Sequence, residues 1–416
     1  MPPSPEPHYS FTIPSIHDDT TLDCRIFHPN LLSRPRSSES NKESEWRKRG
    51  IVMAHPYAPM GGSYDDRVVG IVVDEFLKAG YVVGTFNFRG AHTSKGRTSW
   101  SGKPELDDYN SFAAFFMHYL AHLHPFPTAA TTFTPDQSPV YSQAATQLDS
   151  YRPTKEQSPR VILGGYSYGS LILKHLPPVP SILLPFSSPQ PGSAASEIVL
   201  RARKLADQSN LECINRARDH ERKRRKEHEK KLSVTMGGEE TSPEKRRSSR
   251  DVRRSLDGEG GRAGGKSLDL GSRIRRLSHH RRKGHEAPRT PPDKPHTDTQ
   301  LTITMPEVRY LLVSPLTPPV SSLAAPGLWS KIWIRKPDDC KDVIGKHTSL
   351  AVYGDQDMFS STKKMREWTD ALKEESRARF SSVEVAGAGH FWHEPGVEQR
   401  LRGALRDWGG DVDVNM

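Results

Sequence analysis

The sequence predicts an α/β fold in which a mostly parallel β-sheet is flanked by helices and interrupted by a long basic insertion. Short apolar runs alternate with amphipathic segments, which is typical of βαβ units and a parallel sheet. A Gly-x-Ser-x-Gly pentapeptide, from Gly165 to Gly169, joins one such run to a helical segment. Charge is concentrated in residues 201–300, where 28 Lys and Arg face 16 Asp and Glu, although the whole chain carries only +10.

The composition excludes several classes of protein. Hydrophobic residues make up 34% of the 416 residues, and 34 prolines accompany 31 glycines. Cys24, Cys213 and Cys340 are too few and too scattered for a disulfide framework or a zinc site, which favours a reducing compartment. The N-terminus lacks the basic and apolar regions of a secretory signal, and no apolar run approaches the length of a membrane span. We therefore expect a soluble protein of the cytoplasm or the nucleus.

Residues 1–186 are predicted to form the N-terminal part of the sheet domain. The chain opens with two alternating segments around a turn at Asp18 and Asp19, which indicates a β-hairpin. Buried strands and amphipathic helices follow in alternation. Residues 124–158 are rich in Pro, Thr, Ser and Gln and are interpreted as a surface loop. We predict strands over residues 9–13, 22–27, 50–54, 81–88 and 160–164, and helices over residues 68–79, 106–123 and 170–177.

Residues 187–306 are predicted to be the insertion. A helix near 196–231 is expected, with an apolar stripe in its first half and charge all round its second half. Residues 233–305 combine Gly, Ser, Pro and charge, a composition that cannot bury enough surface to offset chain entropy, so we expect disorder. The expected stripe consists of Ile198, Leu200, Leu205, Leu211 and Ile214.

Residues 307–410 are predicted to complete the sheet. Strands are expected over residues 310–315, 349–353 and 381–385, and helices over residues 362–373 and 396–408. Residues 181–185 are an alternative for the strand that follows the elbow helix. We prefer 310–315, because Pro185 suits a connector better than a central strand.

The turn at Ser167 has the form of a nucleophile elbow, a tight strand-to-helix turn that exposes a hydroxyl above the sheet. In folds that carry this turn, a carboxylate and then a histidine follow the serine in the chain. His390 and two aspartates, Asp355 and Asp357, each follow a predicted strand, at the sheet edge where such groups belong. We predict Ser167 as nucleophile, His390 as base and Asp357 as orienting acid. Asp355 stays an alternative to Asp357, and His393 is the nearest rival of His390.

Stabilising an oxyanion requires two backbone N–H groups near the serine. One should come from Tyr168, directly after the nucleophile. The other should come from the loop after strand 50–54, where Pro56 has no N–H, so Tyr57 or Ala58 is the candidate and we select Tyr57. His55 is expected to shape this loop by hydrogen bonding rather than to act as a second base.

The same segments carry a family resemblance. His55-Pro56, Gly61-Gly62 and the run from Phe86 to Gly90 resemble the α/β-hydrolase superfamily, over about residues 50–180 and 308–410. Within it the chain is similar to serine aminopeptidase and Xaa-Pro dipeptidyl-peptidase domains. The resemblance implies a serine hydrolase that cleaves an ester, or a thioester or amide, of a small molecule. A serine peptidase and a non-catalytic binding scaffold of the same fold are the alternatives.

We predict no cofactor and no metal, because the sequence has no P-loop, no strand-linked G-x-G-x-x-G and no H-E-x-x-H. Arginine clusters precede Ser249, Ser255 and Ser278 in the insertion and resemble sites for basophilic kinases. Our hypothesis is that phosphorylation there lowers the positive charge of the insertion. Contact with nucleic acid or an anionic membrane is a weaker hypothesis than a simple solvated insertion, because interleaved aromatic residues are missing.

Overall fold

The computed structural model of the protein describes residues 5–33, 46, 48–124, 158–235, 303–329 and 343–410. The chain divides into two compact units, one formed by residues 1–221 with 299–416 and one by residues 222–298. In the second unit the described residues are the end of one helix. Most of the predicted loop 124–158 and disordered segment 233–305 lies outside the described residues, and so do the three proposed phosphorylation sites. Among the described helices, none has the length and apolar character needed to cross a bilayer.

The first unit is built on an eight-stranded sheet with the strand order β1-β2-β4-β3-β5-β6-β7-β8. β1 pairs with β2, and β2 with β4, in antiparallel fashion, whereas all the other pairs are parallel. The predicted mostly parallel sheet is therefore confirmed. Its strands are β1 (Tyr9–Pro14), β2 (Thr21–Phe27), β3 (Arg49–Ala54), β4 (Val82–Phe86), β5 (Arg160–Tyr166), β6 (Glu307–Val313), β7 (Ser349–Gly354) and β8 (Phe380–Val385).

Helices cover both faces of this sheet. Successive residues of the central strands enter two separate hydrophobic clusters, as the alternation of side chains along a strand requires. The helices are α1 (Asn30–Ser33), α2 (Arg67–Lys78), α3 (Lys103–His122), α4 (Tyr168–Leu173), α5 (Val179–Ser187), α6 (Ala194–Thr235), α7 (Val320–Ala324), α8 (Pro326–Trp329), α9 (Thr362–Glu375) and α10 (Val397–Gly410), with a 3₁₀ turn over Ala58–Met60. One cluster packs α3, α4, α5 and α6 on the sheet, and the other packs α2 and α10.

Glycines in two central strands allow α3 to pack closely. A Cβ atom on Gly50 of β3 would lie 2.6 Å from the Phe116 ring, and one on Gly84 of β4 would lie 2.7 Å from the same ring. A side chain at either position would push the helix away from the sheet. The aromatic side of α3 therefore depends on these two strand glycines.

Arg89, the charged residue of the Phe86–Gly90 run, has a structural role. Its guanidinium donates to both oxygens of Asp108 on α3 and to Asp18 in the β1–β2 turn. Arg89 and Asp108 are buried, and a paired charge at such a site is costly to break. Arg89 thus ties the N-terminal hairpin to the sheet and to α3.

The helix α6 differs from its prediction in which residues it buries. It covers Ala194–Thr235, so the predicted helix exists. Leu200 and Leu211 of the expected stripe are exposed. Its first half packs into the same core as the sheet, and the domain boundary at 186/187 stays a prediction. Among the side chains of α6 that the structure describes, the buried ones are Ile198, Val199, Ala202, Ala206, Ser209 and Cys213.

The hydrogen-bonded pairing of the strands shows which of the two candidate segments forms the strand after the nucleophile elbow. Glu307–Val313 forms β6, hydrogen-bonded to β5 on one side and to β7 on the other. The alternative segment 181–185 lies in α5, and Pro185 is inside that helix. The preference for the later segment is therefore confirmed.

Candidate active site

Ser167 occupies a strained turn between β5 and α4. Its φ is +55° and its ψ is −113°, a conformation that costs a residue with a side chain on the order of 1–3 kcal/mol. A Cβ atom on Gly165 would lie 2.3 Å from the backbone carbon of Gly169, and one on Gly169 would lie 2.7 Å from the carbonyl oxygen of Ala54. Only glycine fits at either position. These close approaches explain why the sequence surrounds the serine with glycines.

The structure brings the three predicted side chains together. His390 Nε2 lies 2.8 Å from Ser167 Oγ, and His390 Nδ1 lies 2.7 Å from Asp357 Oδ2. Asp357 follows β7 and His390 follows β8, so the carboxyl ends of neighbouring parallel strands supply both groups. All three side chains are nearly inaccessible to solvent, which strengthens the electrostatic interactions among them.

The two aspartates after β7 have different partners. Asp357 Oδ1 accepts the backbone N–H groups of Phe359 and Ser360, which leaves Oδ2 for the imidazole. Asp355 Oδ1 instead accepts the N–H of Gly387, at 2.6 Å, in the loop that carries His390. Asp357 therefore contacts the histidine, and Asp355 stabilises the loop that carries it.

The loop around His390 is held by contacts that sequence reasoning missed. Tyr166, directly before the serine, donates from its hydroxyl to the carbonyl oxygen of His390 at 2.9 Å, and its ring stacks on the imidazole with centroids 5.7 Å apart. Trp392 Nε1 donates to Ser314 Oγ, and Arg67 donates to the carbonyl of Trp392. Burial raises the pKa of Tyr166 far above its ordinary value, so its hydroxyl keeps the proton it donates.

His393 lies apart from the serine–histidine contact. Its Nδ1 is 3.1 Å from a guanidinium nitrogen of Arg67, at the exposed side of the same loop. His390 thus occupies the position next to Ser167 that the sequence left open to two histidines. Within the described ranges, no group of three or more His, Cys, Asp or Glu side chains is arranged to hold a metal ion.

The predicted oxyanion donors are neighbours. The rings of Tyr57 and Tyr168 lie with centroids 5.0 Å apart, because the close approach at Gly169 draws the start of α4 against the loop after β3. Among the described residues, none accepts a hydrogen bond from the backbone N–H of Tyr57 or of Tyr168. Neither N–H group has a protein acceptor among these residues, which is consistent with an oxyanion site, and their role as donors stays a prediction.

His55 fixes the peptide that carries the Tyr57 N–H. Its Nε2 accepts the N–H of Phe88 at 2.9 Å, so its proton is on Nδ1, which donates to the carbonyl of Pro56 at 2.6 Å. That carbonyl and the Tyr57 N–H belong to one planar peptide unit, so holding one orients the other. His55 is fully buried and has the loop-shaping contacts that the sequence suggested.

His55 should make stability depend on pH. Burial lowers its pKa to about 4, against about 6.5 in an unfolded chain. The unfolded state then binds more protons between these values, so the contribution is complete above pH 6.5 and is lost as pH falls towards 4. We expect a loss of about 1.4 kcal/mol per pH unit from this residue. Urea unfolding between pH 7 and 4.5 should show a shallower pH slope for His55→Asn than for the wild type, and parallel slopes would contradict the assignment.

The arrangement can perform nucleophilic chemistry. An imidazole whose Nε2 faces an alcohol can accept its proton, provided that the other nitrogen is held in its protonated form by a carboxylate. If the N–H groups of Tyr57 and Tyr168 are the oxyanion donors, as predicted, they would stabilise the negative oxygen that forms when the alcohol attacks a carbonyl.

Comparisons with known proteins give fold-level likenesses only. No protein-family profile matches the sequence, and no curated protein matches it. Solved structures are similar at low identity, each aligned over nearly the whole chain. An α/β serine hydrolase homologue from Coxiella burnetii is 13% identical, covering 97% of this chain and 98% of that one, with a TM-score of 0.41. A lidless α/β serine hydrolase from Xanthomonas campestris is 12% identical (99% and 97%, TM-score 0.40), and an esterase from Pyrococcus furiosus is 10% identical (97% and 89%, TM-score 0.40).

Features of the chain itself define its fold. The sheet has two antiparallel N-terminal strands, a crossover between β3 and β4, and a parallel remainder. A strained serine turn follows β5, and an aspartate and a histidine follow β7 and β8 in that order. The finer likeness to aminopeptidase and dipeptidyl-peptidase domains stays a prediction. With this topology, this turn and this order of side chains, the protein has the α/β-hydrolase fold.

Proposed function

We propose that this protein is a serine hydrolase that cleaves an ester of a small molecule through an acyl-enzyme intermediate. The observation that carries the proposal is the unbroken hydrogen-bonded series from Ser167 Oγ through His390 to Asp357, with distances of 2.8 Å and 2.7 Å. A module that only binds a ligand has no need of this series.

In the proposed first half-reaction, Ser167 Oγ attacks the carbonyl carbon of the ester while His390 Nε2 takes the hydroxyl proton. Asp357 stabilises the imidazolium that results. The negative oxygen of the tetrahedral intermediate accepts hydrogen bonds from the N–H groups of Tyr57 and Tyr168. Collapse breaks the bond to the leaving alcohol, which receives the proton from His390, and the acyl group stays on Ser167.

In the second half-reaction, water takes the place of the alcohol. His390 removes a proton from the water as it attacks the acyl-enzyme, and the same two N–H groups hold the second oxyanion. Collapse returns the proton to Ser167 Oγ and releases the carboxylic acid. An amide or thioester would follow the same sequence with a different leaving group, so the test includes all three.

The proposal is tested by labelling and turnover together. A fluorophosphonate probe should modify the folded protein at Ser167, located by mass spectrometry of the peptide, and Ser167→Ala should abolish labelling. Heat-unfolded wild-type protein is the matched control, because it keeps the serine but loses the three-residue geometry. Matched p-nitrophenyl ester, anilide and thioester substrates then identify the leaving group. A folded wild-type protein that is neither labelled nor active on any of them would be a binding scaffold.

Tyr166→Phe should slow the same reaction without unfolding the protein. The change removes the hydroxyl that holds the His390 carbonyl but keeps the ring against the imidazole. We expect about a 10-fold lower rate constant of labelling, with KM for esters unchanged, because a small displacement of the base costs rate rather than binding.

Tyr310→Phe is the matched control for this change. Tyr310 is also a buried tyrosine of a central strand, and its hydroxyl has no hydrogen-bond partner among the described residues. Equal effects of the two substitutions on the labelling rate would show that Tyr166 acts only through general packing.

A further inference from the structure

Large apolar side chains are left exposed at one edge of the sheet. Five of them lie in segments that follow the parallel strands β3, β4, β6, β7 and β8 and so share the carboxyl edge with Ser167. Their exposed fractions run from 41% to 76%. The other exposed large apolar residues that the structure describes lie on α1, α5 and α6. We call the five the apolar rim: Met60, Trp100, Leu323, Met358 and Phe391.

On the histidine side, the apolar rim is continuous with the candidate site. Met358 directly follows Asp357, and Phe391 directly follows His390. The partly buried neighbour Phe359 places its ring 4.7 Å from the imidazole and 5.9 Å from the Phe391 ring, measured between centroids. An apolar surface therefore begins at the base itself.

The other three residues of the apolar rim lie in the segments that follow β3, β4 and β6. Met60 ends the 3₁₀ turn that begins after Tyr57, the candidate oxyanion donor. Trp100 and Leu323 belong to two segments in close contact, since a Cβ atom on Gly102 would lie 2.6 Å from that of Ala325. Residues 314–329, which include Leu323, contain no charged side chain.

Exposed apolar surface that borders a reactive centre is typical of a ligand-binding site. We propose that the apolar rim binds the hydrocarbon part of an acyl ester, so that the enzyme prefers medium-chain acyl groups to acetyl. The inference rests on the proposed function and names its substrate class. Binding the hydrocarbon chain of the substrate would remove both this chain and the apolar rim from water. Each methylene group buried in this way raises kcat/KM about fourfold.

The test compares p-nitrophenyl acetate with p-nitrophenyl octanoate, the latter kept below its critical micelle concentration. If about two of the six additional methylenes are buried, kcat/KM should be about 15-fold higher for octanoate than for acetate. Fluorophosphonates with short and long alkyl chains give the same comparison without dependence on the leaving group. Equal values, or a preference for acetate, would overturn the inference.

Substitution then locates the preference. The double variant Met60→Gln, Met358→Gln keeps the length of both exposed side chains but makes them polar, and should lower the octanoate-to-acetate ratio at least fivefold. Leu200→Gln is the control, because Leu200 is 62% exposed on α6, outside the rim, and should leave the ratio unchanged. A ratio that is the same in the double variant and the wild type would contradict a role for the rim.

The outcomes separate the two proposals. Labelling of Ser167 with hydrolysis of acetate but no chain-length preference leaves the hydrolase function intact and overturns the rim. Failure of labelling and of all hydrolysis overturns both. The apolar rim could instead be covered by a second copy of the protein. The double variant would then change the molar mass measured by light scattering, and hydrolysis of both esters would slow equally. That result would also overturn the inference.

Discussion

Alanine at His390 is expected to lower kcat about 10⁶-fold, and alanine at Ser167 by the same factor. The two side chains are 2.8 Å apart and act as one unit, since the serine without its base stays a weak alcohol and the base without the serine has nothing to activate. The double variant should therefore be no slower than either single variant. The residual rate would come from the N–H groups of Tyr57 and Tyr168 and from substrate binding.

His393→Ala provides the control for this experiment. It removes an imidazole from the same loop, three residues further along, that contacts Arg67 rather than Ser167. The measurement is kcat on the best ester, with thermal unfolding to show that each variant is folded. If the losses from Ser167→Ala and His390→Ala multiplied in the double variant, the two residues would not be acting in one step.

Asp357→Asn is expected to lower kcat about 10⁴-fold while the fold is retained. The carboxylate Oδ1 accepts two backbone N–H groups, from Phe359 and Ser360, so an asparagine must keep its oxygen there. Its NH₂ group then faces His390 Nδ1 and can only donate, which forces the imidazole proton onto Nε2. That tautomer cannot accept the proton of Ser167.

Asp355→Asn is the matched change two residues earlier. Its oxygen can still accept the N–H of Gly387, so the loop should stay in place and kcat should fall less than tenfold. Steady-state kinetics of the two variants on one ester distinguish the carboxylates. Losses of equal size would mean that the negative charge of the loop, rather than the contact with Nδ1, is what matters.

The sequence predicted the order and strand positions of the three site residues, because each follows a strand and parallel strands end at one edge. It favoured Asp357 but left Asp355 open as an alternative. Both follow β7, and only the backbone conformation after Gly354 decides which carboxylate reaches the imidazole of His390 and which binds the backbone of the same loop. The contact of Tyr166 with His390 could not be predicted from the sequence either, because the two residues are separated by 224 positions.

The apolar stripe of α6 was predicted wrongly in part, and the reason is steric. A stripe defined by large apolar residues includes Leu200 and Leu211, yet both are exposed to solvent. The buried side instead includes the small residues Ala202 and Ala206, both fully buried in the core. Size complementarity of this kind depends on the partner surface and cannot be inferred from hydropathy along one helix.

The pairing of β5 with β6 has a practical consequence for how the chain can be divided. These strands are hydrogen-bonded neighbours, although Tyr166 and Glu307 are separated by the whole basic segment. No strand that the structure describes lies between them in sequence, so a peptide bond cut within residues 236–302 would interrupt none of the described strand pairings. One fragment would then carry the serine and the other the aspartate and histidine. Coexpressed fragments should show the proposed ester cleavage only on reassembly, which would make this protein a split reporter for the proximity of two fused partners.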